Sequence, residues 1–383
     1  MMRPGGWWLA ATVIVSLAGP AAAQTAGTQT SATPSRGALS DDAIDQAART
    51  LPRIHGLLVS RRGELIFERY YNRASQSRPA NIKSASKSVI SALVGIAVDR
   101  GLIAGVRTPI STFFPEVTRD PDPRKRQITV EDLLTMRSGL EGTSGRNYGA
   151  WVLSRNWVQH ALARPMFAAP GAVMEYSTGN THLLSAIVTK ASGMSTWQFA
   201  NEVLAKPAGS SLPQWPRDPQ GIYFGGNDML MTPRQLVAFG ELYLNKGRVG
   251  NRQVVPERWV ARSCEGRRRE FRPGERPRGQ NNGQRIAGGA PDALDPLRGF
   301  DSGFDPMRGR QYGYGWWVHE IDGYDTCFAW GYGGQYVFVL PALDLVIVTT
   351  ASPDVSEERR GHRRQVFEIL SRLIIPPIAA ARR

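Results

Sequence analysis

The chain has 383 residues, 42% of them hydrophobic and 21% charged. Those proportions belong to a globular protein with a sizeable core, in one large domain or two small ones, and they exclude a disordered or fibrous chain. The net charge of +14 invites a nucleic-acid reading, but the arginines concentrate in polar tracts, above all Arg267 to Arg278, without interleaved aromatics. That is the pattern of a solvated basic loop, so no nucleic-acid partner is expected.

Residues 1–23 read as a secretory signal peptide. Arg3 is a thin positive start, Trp7 to Ala18 an apolar core, and Ala21-Ala22-Ala23 a small-residue cleavage site before Gln24. Residues 24–40, rich in Thr, Ser, Ala and Gly, read as a flexible leader, and 41–383 as the folded body. No later stretch is apolar and long enough to span a bilayer. The expectation is a soluble mature chain, secreted or periplasmic. Cys264 and Cys327 could pair in an exported protein, although spacing alone cannot bring them together. The histidines are scattered and form no metal-ligand spacing, so neither a metal nor a cofactor is expected.

Along the body, Asp41 to Leu51 predicts a first helix. Gly56 to Ser60 and Leu65 to Tyr70 are strand-like runs around Arg61-Arg62-Gly63, a hairpin by pattern. Asn81 to Ile103 predicts a helix that is apolar nearly all round and therefore buried. Thr129 with Asp132 three residues on reads as a capping box ahead of Leu133, Leu134 and Met136. From Asn147 to Leu204 the periodicity is helical, with breaks at Pro165, Pro170 and Gly171. A further helix spans Pro233 to Tyr243. Residues 265–310 have no hydrophobic period. Tyr312 to Val318, Tyr324 to Trp330, Tyr336 to Leu340 and Leu345 to Thr350 read as strands, and Ser356 to about Ile375 as a last helix. Strands at both ends suggest one sheet, with a helical lobe, roughly 111–300, inserted into an α/β body. The cleft between them is the default small-molecule site.

The front of the Asn81–Ile103 segment carries Ser84-Ala85-Ser86-Lys87, an S-x-x-K. Residues three apart share a helix face, so the hydroxyl and the amine can meet. A half-buried lysine loses preference for its charged form and can act as a base. The motif is weak alone: 26 serines and 6 lysines give about 0.4 matches by chance. Yet arginine outnumbers lysine 41 to 6, and position 87 is the residue that can release a proton. Farther on, Gly171 to Asn180 is a turn-rich segment ahead of a buried helix, and Tyr176 within it is a candidate proton relay.

Five phrases in order, SASKSV at 84–89, ITVEDLLTMRSGL at 128–140, YSTGNTHLLSAI at 176–187, YGYGWW at 312–317 and WGYGGQYVFVLP at 330–341, give the chain a family likeness. It resembles the serine β-lactamase-like hydrolases: class C β-lactamases, D-Ala-D-Ala carboxypeptidases, family VIII esterases and, closest in wording, the 6-aminohexanoate-dimer hydrolases. The resemblance spans about 45–375. It implies a β-lactamase/transpeptidase-like α/β fold, an antiparallel sheet flanked by N- and C-terminal helices. It also implies Ser84 as nucleophile, Lys87 as its base and Tyr176 as proton shuttle.

The family's Y-x-N would put Asn at 178, where this chain has Thr178; Asn180 is a candidate substitute. Its K-T-G or H-x-G strand motif is replaced by Ala329-Trp330-Gly331, with Trp330, Gly331 and Tyr332 as substrate-binding candidates. A lysine or histidine there would face a substrate carboxylate, and Trp330 offers an apolar wall instead. The expected activity is hydrolysis of a small ester or short amide. The alternatives are a β-lactamase or D-Ala-D-Ala carboxypeptidase, a catalytically inactive peptide- or cell-wall-binding module, and an envelope-associating basic protein. The oligomeric state is not legible.

Overall fold

The computed structural model describes residues 39–266, 310–356 and 358–381. The expected signal segment, nearly all of the leader and most of the 265–310 tract lie outside the described residues.

One seven-stranded antiparallel sheet organises the body. Its strands are β1 (Ile54–Arg61), β2 (Glu64–Tyr70), β3 (Gln311–Tyr312), β4 (Trp317–Ile321), β5 (Tyr324–Gly331), β6 (Gln335–Leu340) and β7 (Leu345–Ala351), in the order β2-β1-β7-β6-β5-β4-β3. The N-terminal hairpin thus joins the C-terminal meander through β1 and β7, with Leu58 opposite Val348. The expected run from Tyr312 to Val318 is not one strand: Gly313 to Gly315 interrupt it, and Ser88 Oγ donates to the Gly315 carbonyl at 2.7 Å.

Both faces of the sheet are covered, so its strands are apolar on both sides. Leu58, Val337, Val339, Val346 and Val348 face one core. Their alternating neighbours Leu57, Val59, Phe338, Leu345 and Ile347 face another. The second core is closed by α1 (Asp41–Arg49), through Ile44 and Ala48, and by the C-terminal helix Arg359–Ile369, through Val366 and Phe367. Its end is not the expected continuous helix: Leu370–Ile374 form a π-helical turn before Ile375–Ala380.

The first core is shared with the helical layer. There α2 (Ser86–Asp99) is buried on nearly every side, as its apolar circumference predicts. The segment Val130–Leu134 has both halves of the capping box, Thr129 with Asp132. α3 (Thr178–Ser192) ends at Gly193 in the left-handed region. The helix Pro233–Leu244 also opens on a capping box, Thr232 with Gln235, and lies against the sheet, where Ser60 Oγ donates to Glu241 Oε1 at 2.5 Å. The helix Glu257–Cys264 is tied to β5 by a Cys264–Cys327 disulfide. Among the described residues no helix is long and apolar enough to cross a membrane.

Candidate active site

A cleft opens between the sheet edge and the helical layer, lined among others by Ser84, Ser144, Tyr148, Tyr176, Thr178, Trp317, Trp330 and Tyr332. Ser84 does not sit in the α-helix proper. It lies in a 3-10 turn, Lys83–Ala85, that feeds into α2 at Ser86. Lys83 ahead of it has φ 49°, a left-handed conformation that strains any residue with a Cβ. That strain is held by neighbours: the Lys83 N–H donates to Asn81 Oδ1 at 3.0 Å, and Lys83 Nζ pairs with Asp228 at 2.8 Å.

Lys87, one turn into the fold, is 1% exposed. Its Nζ has three acceptors: Ser84 Oγ at 3.1 Å, Thr178 Oγ1 at 3.4 Å and the Gly226 carbonyl at 2.6 Å. It also stands 4.8 Å from the centre of the Tyr176 ring. Burial in this dry setting lowers its pKa to about 7, and the nearby charge of Asp228 opposes only part of that. At neutral pH a large fraction of Lys87 is therefore the free amine.

Tyr176 packs face to face with Trp317 at 5.6 Å and edge-on to Tyr312 at 6.1 Å. Burial raises its pKa, while a hydrogen bond with Ser84 and the charge of Arg310 act in the opposite direction. The phenol stays protonated at neutral pH. The hydroxyl and amine of one short motif thus meet a phenol from a distant part of the chain.

Thr178 replaces the family's asparagine at this spot, with its hydroxyl on Lys87. Asn180 does not substitute for it. Thr178 is the first residue of α3, and two residues on a helix are about 200° apart, so Asn180 leaves on another side. Its side chain is buried away from the cleft lining, its carbonyl oxygen accepting from Ser138 Oγ at 3.2 Å. The expectation that Asn180 contacts substrate is therefore corrected: the segment is helix from Thr178 on, not loop.

Trp330 and Tyr332 line the cleft, as expected for the strand edge, but Gly331 does not. It serves close approach, because a Cβ there would lie 2.1 Å from the Ile82 carbonyl, just before the Ser84 turn. Trp330 is also flanked by cations. The Arg310 guanidinium lies 5.9 Å from its ring and 4.9 Å from that of Trp317, and Arg363 lies 5.7 Å from Trp330.

Several lining residues escape sequence reasoning. Ser144 comes from the connection after Ser138-Gly139, Tyr148 opens the short helix Tyr148–Val152, and Asn227 comes from the connection before Leu230. Asn227 Nδ2 donates to Tyr148 Oη at 2.7 Å. The available signal was the Gly225-Gly226 pair. Gly226 lets the backbone approach α3 and aim its carbonyl at Lys87, since a Cβ there would fall 2.7 Å from the Thr178 carbonyl. Among the described residues no cluster of side chains could hold a metal ion.

The comparisons agree with this architecture. The Beta-lactamase family profile matches residues 44–371, whereas no curated protein sequence matches the chain. A Bacillus anthracis protein provisionally named a 6-aminohexanoate-dimer hydrolase superposes with TM-score 0.60 at 19% identity, over 87% of this chain and 82% of its own. EstCE1, a hydrolase with promiscuous acyltransferase activity, superposes with TM-score 0.62 at 17% identity, over 86% and 97%. A D-stereospecific amidohydrolase from Streptomyces sp. gives TM-score 0.59 at 15% identity, over 86% and 98%. At such identities the superpositions speak for the fold alone. The profile match runs from α1 into the C-terminal helical segment, and with it the chain belongs to the Beta-lactamase family of serine hydrolases.

Proposed function

We propose that this protein is an exported serine hydrolase that cleaves an ester or a short amide through an acyl-enzyme on Ser84, with Lys87 as base and Tyr176 as acid. The observation that carries this reading is the contact of 3.1 Å between Ser84 Oγ and a buried Lys87 whose pKa is brought down to about 7. A base poised near the working pH is the most effective kind.

Ser84 Oγ attacks the carbonyl carbon as its proton passes to Lys87 Nζ, and the carbonyl oxygen becomes an oxyanion. The backbone N–H groups of Ser84 and Tyr332 hold that charge; losing one such donor typically costs on the order of 10²–10³ in rate. The tetrahedral intermediate collapses, the bond to the leaving group breaks, and the Tyr176 phenol gives that group a proton. The proton held by Lys87 returns to Tyr176. Water then attacks the acyl carbon, its proton going to the same pair, which hands it to Ser84 Oγ as the bond from the acyl carbon to that oxygen breaks. The raised pKa of Tyr176 supports acid over base for the phenol.

The aromatic wall of Tyr148, Trp317, Trp330 and Tyr332 favours an apolar group beside the scissile bond. The Cys264–Cys327 disulfide supports export to an oxidising compartment. A second reading, β-lactamase or D-Ala-D-Ala carboxypeptidase, draws on Arg310, which could meet a substrate carboxylate from its place over Trp317 and Trp330. Hydrolysis of p-nitrophenyl butyrate and nitrocefin by the purified protein separates the two: faster turnover of the ester is expected, and much faster turnover of nitrocefin overturns the ester reading. Ser84→Ala is expected to abolish labelling by a fluorophosphonate probe. Labelling that persists would move the nucleophile elsewhere, and a wild-type chain that neither labels nor hydrolyses would be a binding module.

A further inference from the structure

Ser144 lies in the cleft wall beside Thr178. Its Oγ has two contacts, and both go to the same residue: it accepts from the Thr178 backbone N–H at 2.9 Å and lies 2.8 Å from Thr178 Oγ1. Which hydroxyl donates across the second contact is fixed by Lys87 together with the burial of Thr178.

A productive Lys87 must point its lone pair at the Ser84 hydroxyl, so its two remaining protons go to the other two acceptors. The Gly226 carbonyl, at 2.6 Å, takes one and Thr178 Oγ1, at 3.4 Å, takes the other. Once Lys87 has gained the Ser84 proton, its three N–H bonds face Ser84 Oγ, Thr178 Oγ1 and the Gly226 carbonyl. Thr178 Oγ1 is thus an acceptor from Lys87 before and after proton transfer. Its second lone pair could also take the Ser144 hydrogen, but the Thr178 hydrogen would then have no acceptor among the described residues; Thr178 is 4% exposed and Ser144 only half-buried, so the Thr178 hydrogen turns to Ser144 Oγ. Ser144 Oγ then accepts twice, which fills both lone pairs. Among the described residues no further acceptor is bonded to it, so its own hydrogen is left for the cleft.

We infer that Ser144 is a substrate-binding residue, a hydrogen-bond donor aimed into the cleft that selects substrates with an uncharged oxygen acceptor, such as an ether or carbonyl, close to the scissile bond. This rests on the reading of Lys87 as base, because that reading sets the direction of the hydroxyl pair. Nothing is transferred along the pair. The two hydroxyl hydrogens keep their oxygens, and the direction in which they point is set in advance. Such a donor costs no reorganisation when substrate arrives. A substrate presenting an N–H at that place would meet hydrogen against hydrogen and be disfavoured.

The test uses isosteric substrate pairs that differ by an oxygen in place of a methylene. One pair varies the acyl group, p-nitrophenyl methoxyacetate against p-nitrophenyl butyrate. The other varies the leaving group, 2-methoxyethyl butyrate against butyl butyrate. For each pair the ratio of kcat/KM values is compared between wild type and variant, which cancels intrinsic reactivity. Ser144→Ala is expected to lower the ratio of one pair five- to tenfold, the size of a neutral hydrogen bond, and Ser144→Thr to restore it. Thr178→Val, which releases Ser144 from its fixed direction, is expected to lower the same ratio, and the double variant to lower it no more than the stronger single change. Ratios in both pairs that match wild type in Ser144→Ala overturn the inference, as does a double variant whose loss is the product of the single ones. If Ser144→Ala fails to fold, Thr178→Val alone decides by the same ratios. Fluorophosphonate labelling of wild-type Ser84 reads the underlying mechanism separately.

Discussion

Lys83 and Asp228 face each other across 2.8 Å at the rim of the cleft, and both backbones are left-handed, with φ of 49° and 58°. Two strained residues brace each other, one beside Ser84 and the other two residues after the Gly226 carbonyl that holds Lys87. Asn81 Nδ2 donates to the same Asp228 Oδ1 at 2.8 Å, so the brace has a third leg. Asp228→Ala should loosen the Ser84 turn and lower kcat/KM about tenfold, as misplacement of a reacting group does. It should also move the ascending limb of the pH–rate profile. The Asp228 carboxylate favours ammonium on Lys87. Without it the amine loses its proton more readily, and the limb shifts to lower pH. A limb that stays in place, or moves to higher pH, contradicts that coupling.

Lys87→Met should trade function for stability. A buried lysine with a folded pKa of about 7 and a normal unfolded value of 10.5 opposes folding. Between those values the unfolded chain binds the proton and the folded chain does not, so stability rises with pH from about 7 to 10.5. Below pH 7 both states are protonated and the penalty is at its full size, a few kcal/mol. Methionine fills similar space without that penalty. Thermal melts are expected to show Lys87→Met several degrees above wild type at pH 7 and closer to it at pH 10, with hydrolysis lost. A variant that melts lower at pH 7 would mean that the three Nζ hydrogen bonds outweigh the cost of burial.

These two predictions draw on different depths of legibility. The order of strands and helices was written in the sequence because short apolar runs bounded by turn residues alternate with longer helical stretches; Ser84 and Lys87 stood out through residue type and spacing, and Tyr176 through the family phrase at 176–187. Ser144 and Asn227 did not, because short polar connections carry no period, and Tyr148 did not, because it opens a five-residue helix whose facing is set by the fold. Asn180 misled for a local reason: Thr178-Gly179-Asn180 has the composition of a turn, yet the N–H groups of Thr178 and Gly179 are met by Ser144 Oγ and Thr143 Oγ1, which caps a helix that starts at Thr178. The direction of the Ser144 hydroxyl is less legible still, since it depends on a chain of contacts through three residues.

Gly331→Ala tests the strand edge. The new methyl would stand 2.1 Å from the Ile82 carbonyl, which already accepts from the Ala85 N–H. Neither backbone can yield without moving the Ser84 turn or β5. The expected outcome is a loss of several kcal/mol in denaturant unfolding together with a fall in acylation rate measured by fluorophosphonate labelling. Because Gly331 shapes the site without lining it, KM for a neutral ester should change less than kcat. A variant with normal kcat and a raised KM would instead place Gly331 against the substrate.

The disulfide is the last element whose contribution can be separated. It joins the end of the Glu257–Cys264 helix to the middle of β5, three residues before Trp330, across a separation of 63 residues. Closing a loop of that length removes unfolded-state entropy worth about 4 kcal/mol. In a domain of this size such a loss lowers the thermal midpoint by roughly six degrees. Cys264→Ser with Cys327→Ser, or reduction before melting, should produce that drop. Hydrolysis at 25 °C should suffer much less, because β5 remains paired on both sides, with Cys327 between Val318 and Val339, when the cross-link is gone. If activity instead disappears while the midpoint holds, the disulfide acts on the position of Trp330 and Tyr332 rather than on the unfolded chain.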